Sequence, residues 1–388
     1  MLVAVALAGT GAAHGQTSPY YIGASQGFTH ESNAFRNSAS LSDNVSSTGL
    51  HAGIDQPISR QRIYADALVQ ANRYNRFKEL NNTSYSLTGG LDWQTIEHLS
   101  GNLNFNSRQN LAEIASTAGQ KNVERMQQAM ASIRWGATSR LGLDASAEHR
   151  RVSFSNNAAR AGEYTENVGS AGIRFGSSEQ LSFRLGGRVS KADFPHYKDP
   201  LLLDPLPPLP PLPDTPDKLD RKDVDLSMVW VPGGFTTVNA RISSTRERHS
   251  QGSRPDFSGA TGMIGVDYKL TGKTALKASV ARDTGSETTF LVAAPGALPF
   301  RVDNNRVSTL TALGATYEAT SKISIQADYR RTDGKANGGA DDTATATAVG
   351  VTYLATRSIA LNCNAAHEKR EGLYTAYTAG CQAKITLR

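Results

Sequence analysis

The sequence has little of what marks a helical membrane protein or a disulfide-stabilised domain. Its 388 residues include two cysteines, and aromatic residues make up 7% of the chain. After the first fifteen residues, no apolar run approaches the roughly 20 residues that a membrane-spanning helix needs. A mean hydropathy of −0.39 is ordinary for a soluble protein, so the chain is too polar to be a bundle of transmembrane helices.

Motifs of catalytic and nucleotide-binding proteins are also missing. The eight histidines are scattered without the spacing of a metal site, and no phosphate-binding glycine loop occurs. The one local pair for nucleophilic catalysis, His149 and Ser153, lacks an orienting acid and an oxyanion-hole motif. The pI is 9.2, yet the basic residues are spread along the chain rather than gathered on one face. We therefore expect no enzyme, no metal, no cofactor and no nucleic-acid partner.

The one apolar run stands at the start, MLVAVALAGTGAAHG, and is about half as long as a spanning helix. Small residues follow its apolar part, as they do before a signal-peptidase cleavage site. We predict a signal peptide at residues 1–15, truncated at its start because a charged segment is missing. The mature protein, residues 16–388, then leaves the cytoplasm.

What the chain does contain is a period of two. In QLSFRLGGRVS, residues 180–190, apolar Leu181, Phe183 and Leu185 alternate with polar residues, as in a strand with one wet face. The same pattern returns near residues 63–70, 141–148, 238–242 and 323–328, and no helical period competes over a comparable length.

The breaks between these strands alternate between short turns and long polar loops. Short turns fall at 55–61, 136–140, 176–180, 231–234, 270–273 and 355–358, and long loops at 31–41, 74–82, 110–123, 153–163, 193–220, 249–256, 285–303 and 333–342. Transmembrane barrels have this rhythm because their periplasmic turns are short and their extracellular loops are long. The pattern predicts an all-β fold: a single antiparallel up-and-down β-barrel of about 18 strands in the Gram-negative outer membrane, with both termini in the periplasm.

The proline distribution agrees with this topology. Eight of the 15 prolines lie in DPLLLDPLPPLPPLPDTPDK, residues 199–218. Proline has no backbone N–H, so such a tract adopts an extended polyproline form and joins neither a helix nor a central strand. It falls in the predicted extracellular loop at 193–220, where the backbone N–H groups that proline lacks are not needed for hydrogen bonds between strands.

A barrel of this size has an aqueous lumen, so its polar parity faces inward. We predict a lumen charged with both signs, with a modest basic excess that favours a polyhydroxylated or anionic solute. The predicted cations are Arg108, Arg134, Arg150, Arg174, Arg184, Arg188, Arg241, Lys277, Arg330 and Lys384. The predicted anions are Asp55, Asp66, Asp92, Asp144, Glu148, Asp225, Asp267 and Asp328.

The two cysteines fall on the last predicted hairpin. Cys363 and Cys381 are each nine residues from Gly372, so a turn centred on that glycine places them directly opposite each other and toward lipid. The expected Cα separation suits a disulfide, and the compartment is oxidising. We predict a disulfide between them; two free thiols are the alternative.

The two ends of the mature chain resemble one family. YYIGASQGFTHESNAFR, residues 20–36, and GCQAKITLR, residues 380–388, are similar to the first and last strands of EpsL-type outer-membrane proteins of the β-barrel porin 2 group. The resemblance implies a porin that conducts a secreted exopolysaccharide out of the cell, with outer-membrane lipid and with periplasmic and inner-membrane polysaccharide export proteins as partners. A general small-solute porin and a structural or adhesive barrel remain open alternatives.

Overall fold

The computed structural model describes residues 18–96, 98–112, 120–136, 140–176, 180–197, 214–252, 254, 256–284, 307–335 and 341–388. The predicted signal peptide at 1–15 and most of the proline tract lie outside these residues. Eighteen strands form one sheet. They are β1 Tyr20–Glu31, β2 Asp43–Ile58, β3 Gln61–Tyr74, β4 Asn82–Gln94, β5 Leu99–Leu111, β6 Val123–Trp135, β7 Leu141–Phe154, β8 Tyr164–Gly176, β9 Leu181–Phe194, β10 Asp217–Trp230, β11 Thr236–His249, β12 Phe257–Lys269, β13 Thr274–Thr284, β14 Val307–Glu318, β15 Ile323–Lys335, β16 Asp341–Leu354, β17 Ile359–Arg370 and β18 Tyr374–Leu387.

The sheet closes on itself. Each strand pairs antiparallel with its sequence neighbours, and β1 pairs with both β2 and β18. Ile22 lies opposite Leu387 across the closing seam. Closure leaves no unpaired strand edge, which is what allows a sheet to stand in lipid. The prediction of an 18-stranded antiparallel barrel is confirmed.

The outer face of the barrel is apolar. Alternate residues of each strand, such as Leu50, Leu226 and Ile385, point outward and are half or more exposed. A ring of aromatic side chains borders this apolar face at the end with the short turns, and it includes all three tryptophans: Tyr20, Trp93, Trp135, Phe175, Phe183, Trp230, Tyr268, Tyr317 and Tyr353. An apolar band with an aromatic girdle is the surface of an outer-membrane barrel, and it confirms the predicted localisation.

The two ends of the barrel differ as the sequence predicts. At the short-turn end, β2 and β3 are separated by Ser59 and Arg60 alone. At the long-loop end, one connection departs from the pattern, because three residues around Gly372, whose φ is 74°, join β17 to β18. No helix among the described residues is long and apolar enough to cross a membrane.

The loop predicted at 193–220 is shorter than expected. Strand β9 continues to Phe194 and β10 begins at Asp217, so the connection spans 195–216. Both strands gain length because Phe194, Asp217 and Leu219 are buried on the inner side. The charged run before Asp223 resembled a loop because, beyond the membrane, the barrel wall is polar on its outer face as well.

Two clusters of side chains lie inside the barrel at the long-loop end. The first joins the β1–β2 and β3–β4 connections to the ends of β2 and β3 through Phe35, Val45, Tyr74 and Leu80. The second joins β9, β10 and the segment after β9 through Phe194, Tyr197 and Leu219. Both clusters pack loop residues against the inner wall and so narrow the mouth of the barrel.

Candidate functional site: the lumen

The predicted lumen residues share the inner face of the wall. Direct evidence comes from ion pairs that skip strands: Arg184 on β9 reaches Asp144 on β7 with Nε to Oδ2 2.7 Å, across β8. Such a contact requires both side chains to lie on the same face of the sheet. The strand registers put the other predicted cations and anions on this same parity, opposite the exposed apolar residues.

The lumen is open to water toward the short-turn end. Arg62 donates two hydrogen bonds to Asp55, of 2.7 and 2.6 Å, and both side chains remain about half exposed. Lys277 lies 3.4 Å from Asp267, again with both groups about half exposed. Asp66 accepts a hydrogen bond from the Tyr21 hydroxyl on the neighbouring part of the wall. Charged side chains of both signs therefore face an aqueous space here.

Three arginines on β6 to β9 lie around one carboxylate, Asp144. Arg134 lies directly opposite Asp144 in the β6–β7 register, and Arg174 lies directly opposite Arg184 in the β8–β9 register. Arg184 is the group that bonds to Asp144. We call Arg134, Arg174 and Arg184 the arginine strip. With three cations and one anion, the strip makes this part of the lumen wall locally positive.

Two glycines, Gly172 and Gly186, leave space for the Arg184 side chain along the wall. A Cβ atom added to Gly172 would lie 2.7 Å from Cζ of Arg184, and one added to Gly186 would also collide with the guanidinium. Because neither residue carries a side chain, the guanidinium lies flat on the sheet and reaches Asp144. The glycines thus set the position of the strip.

Toward the long-loop end the lumen wall is packed and ion-paired. Arg221 is fully buried and donates to Asp223 (3.0 Å), to Asp283 (2.9 Å) and to the hydroxyl of Thr284 (2.6 Å). Glu247 lies 3.8 Å away. Buried charges persist when they are paired and hydrogen-bonded, and this cluster meets both conditions.

The predicted residues of the neighbouring strands extend this cluster. Arg188 contacts Asp223 at 3.2 Å and Asp225 at 3.7 Å, and Arg241 contacts Asp283 at 3.2 Å. We call Arg188, Arg221, Arg241 and their carboxylates the buried charge cluster. It forms a continuous polar wall from β9 to β13.

Other predicted residues lie in smaller contacts. Arg150 bonds Glu148 at 2.8 Å and lies 3.6 Å from Glu166, while Arg108 lies 3.8 Å from Glu124.

The remaining predicted residues lie on β4, β15 and β18. Asp328, beside Arg330 on β15, accepts a hydrogen bond of 2.9 Å from Gln326. Asp92 accepts one of 2.5 Å from Asn102, and Lys384 is on the inner parity of β18. These side chains are parts of the wall and do not converge on one point.

The mouth is held by loop residues that the sequence did not single out. Arg254 bonds Asp217 at 2.7 Å and stacks on the rings of Phe194 and Tyr197, 4.6 and 4.7 Å from their centroids. Across the mouth, Arg36 in the β1–β2 loop bonds Glu368 at 3.0 Å. Burial lowers the pKa of Arg36, but the Glu368 and Glu31 carboxylates outweigh it and raise that pKa above its usual value.

The sequence missed the centre of the buried charge cluster. Arg221, Asp223 and Glu247 were not among the predicted lumen residues, although Asp225 was. The inward side of β10 does have a period of two, formed by Asp217, Leu219, Arg221, Asp223 and Asp225. The sequence alone does not reveal this alternation, because the outward residues between them, Lys218, Asp220 and Lys222, are charged as well.

The catalytic pair considered from sequence does not form. His149 and Ser153 both point outward on β7, four residues apart along a strand, which separates them by about 13 Å. His149 instead contacts the Asn167 side chain, with Nδ1 to Oδ1 2.8 Å. Within the described residues, no group of three or more His, Cys, Asp or Glu side chains has a metal-binding arrangement.

A disulfide joins the last two strands on the outer face. Cys363 lies directly opposite Cys381 in the β17–β18 register, with the Cα atoms 4.0 Å apart. The same parity carries Leu361 and Ile385, which are exposed to lipid. The bond therefore lies outside the lumen and takes no part in its chemistry.

Comparison with known proteins was made at the level of sequence and of structure. No protein-family model and no curated protein matches the chain, so neither supports the resemblance to EpsL-type proteins. Among solved structures, the FrpB iron transporter of Neisseria meningitidis is 10% identical with a TM-score of 0.47; the match covers 92% of this chain and 62% of that one. OccAB4 of Acinetobacter baumannii is 11% identical, with 96% and 99% covered and a TM-score of 0.48.

The outer membrane protein OpdK of Pseudomonas aeruginosa is similar to the same degree, 10% identical with 95% and 98% covered and a TM-score of 0.49. Likeness at this level carries no function across. The chain's own closed wall, apolar exterior and charged interior are what define it: it is an 18-stranded outer-membrane β-barrel with a polar lumen.

Proposed function

We propose that the barrel is a passive channel for small polar solutes, with a preference for anionic ones. The observation that carries this proposal is the arginine strip, where Arg134, Arg174 and Arg184 lie around the single carboxylate of Asp144 on the inner face of the wall. In a narrow aqueous pore, fixed charges of one sign raise the local concentration of the opposite ion. The positive charge of the strip therefore attracts an anionic solute to this part of the lumen.

The packing of the long-loop half supports a small solute over a polymer. The buried charge cluster and the two loop clusters reduce the width of the lumen there. A polysaccharide conduit needs a bore that stays open along its length, whereas a small-solute channel works with a constriction. Export of an exopolysaccharide, which the resemblance of the end strands implies, is the second candidate.

Liposome swelling distinguishes the two candidates. We expect liposomes that contain the protein to swell in small isotonic solutes and to swell faster with a small carboxylate than with a neutral solute of equal size. The double substitution R134Q/R174Q should reduce that difference, while R73Q/R282Q, which removes two cations from the outer face of the wall, should not. Swelling without charge preference, or permeation by oligosaccharides as fast as by monosaccharides, would overturn the proposal.

A further inference from the structure

The lipid-facing surface carries a groove across strands β4 to β9, with a volume of 840 Å³. Its walls are Leu103, Phe105 and Val189, and its floor is made of small side chains: Gly89, Ala129, Ala131, Ala147 and Gly169. We call this the lateral groove. Small residues on a lipid face leave room for something other than the barrel's own side chains.

The lateral groove runs obliquely through the hydrocarbon layer of the membrane. It follows one row of paired residues from Leu91, near the short-turn end of β4, to Val189 on β9, and the parallel row ends at Lys191, three residues before the long-loop end of that strand. Six strands at about 4.8 Å spacing give a length of about 24 Å. With a strand tilt of about 40°, the groove rises by about 15 Å, or half of a 30 Å hydrocarbon core, from near the short-turn end toward the long-loop end. Its length suits one extended acyl chain that enters the groove at its upper end, from a lipid whose headgroup lies in the outer leaflet.

Basic side chains surround the upper end of the groove. Lys191 lines it, Lys222 lies directly opposite Val189, and Arg151 follows His149 by one outward position on β7. Farther along the outer face of β6 to β11 stand Arg125, Arg246 and Arg248. The outward carboxylates of these strands, Asp193 and Asp220, lie opposite Lys218 and Lys191. The outer surface above the groove is thus clearly positive.

We propose that the lateral groove is a binding site for an anionic lipid of the outer leaflet. One acyl chain occupies the groove, and Arg151, Lys191 and Lys222 contact the phosphate groups of its head. The inference does not depend on the proposed channel function, because every residue involved faces away from the lumen. Each Lys or Arg near an anionic headgroup contributes about a factor of five in affinity.

A second copy of the chain is a poorer occupant. In a two-fold symmetric dimer each patch faces its own copy, so the basic side chains at the end of the groove would meet like charges. A lipid phosphate offers the opposite charge and the acyl chain offers the apolar surface. Charge complementarity therefore favours the lipid.

Native mass spectrometry of the full protein in detergent tests the proposal, with diphosphorylated lipid A as probe and phosphatidylethanolamine as the zwitterionic comparison. We expect one lipid A to stay bound in preference to phosphatidylethanolamine. A147F, which fills the groove, should abolish retention, and R151Q/K191Q/K222Q should weaken it by about 100-fold. Inorganic phosphate at millimolar concentration should not displace the lipid.

Matched variants on strands outside the lateral groove serve as controls. A327F changes an exposed outward alanine on β15, and R73Q/R282Q/K369Q removes three outward cations from other strands. Heat-modifiable migration in gels reports whether each variant folds. Equal loss of lipid A in the control and groove variants would overturn the proposal. So would a wild-type dimer that binds no lipid and that A147F dissociates.

Discussion

Arg221 and Arg62 are two lumen arginines that differ in burial. Comparing them tests how burial changes the contribution of an ion pair to the free energy of unfolding. Both guanidinium groups donate at least two hydrogen bonds to carboxylates, but Arg221 is fully buried while the Arg62 side chain is 52% exposed. Replacing Arg221 by methionine leaves Asp223, Asp283 and Glu247 close together with one cation fewer. Breaking a buried pair in this way costs roughly 3–5 kcal/mol.

The structure places the expected cost at the lower end of that range. Arg188 still contacts Asp223 in the variant, and Arg241 still contacts Asp283, so neither carboxylate loses every cation. We expect R221M to lower the free energy of unfolding by about 3 kcal/mol. R62M should lower it by less than about 1 kcal/mol, since exposed pairs are screened by water.

Equilibrium urea unfolding in lipid vesicles, followed by tryptophan fluorescence, measures both values. All three tryptophans lie in the aromatic ring at the short-turn end. Trp230 is nine residues from Arg221 along β10, whereas Trp93 follows Asp92, the register partner of Arg62, so each variant needs its own folded and unfolded fluorescence baselines. Equal costs for the two variants would refute the reasoning, because they would show that Arg221 is as well hydrated as Arg62.

Three further predictions concern other parts of the chain. Mass spectrometry of protein purified without reductant and treated with an alkylating agent should find no modified thiol, because Cys363 and Cys381 are bonded; two modified thiols would contradict this register. In whole cells, a cysteine at Arg160, which is exposed in the β7–β8 connection, should react with an impermeant label while one at Pro57 or Gly233 should not, because the long loops face outward; labelling at either of the last two positions would invert the topology. Deleting residues 203–213 from the proline tract should raise antibiotic permeation if the tract covers the mouth, as stiff polyproline of that length is able to do, while the barrel still folds; unchanged permeation would make it a surface loop only.

Period-two alternation and the rhythm of short and long breaks were sufficient to predict an 18-stranded barrel, but not the contacts between inward residues. The alternation put Arg184 and Asp144 on one face, yet their bond depends on Gly172 and Gly186 leaving room, which no local pattern expresses. Arg221 bonds Asp283, 62 residues away, because closure of the barrel and its curvature bring β10 and β13 together.

Loop contacts were beyond sequence reasoning for a related reason. Arg36 reaches Glu368, 332 residues away, because the β1–β2 loop folds over the closing seam. Arg254 stacks on Phe194 and Tyr197 because the loop after β11 packs inward. Neither loop has a periodic pattern, so their inward positions follow from packing alone.

Single-channel recording in planar bilayers tests the central claim most directly. The account predicts discrete conductance steps for the purified, folded protein, with a reversal potential in a salt gradient that shows anion preference. R134Q/R174Q should shift that potential toward cations without abolishing the steps. A heat-modifiable, folded barrel that gives no steps, or steps whose ion preference is the same in the double variant, would contradict it.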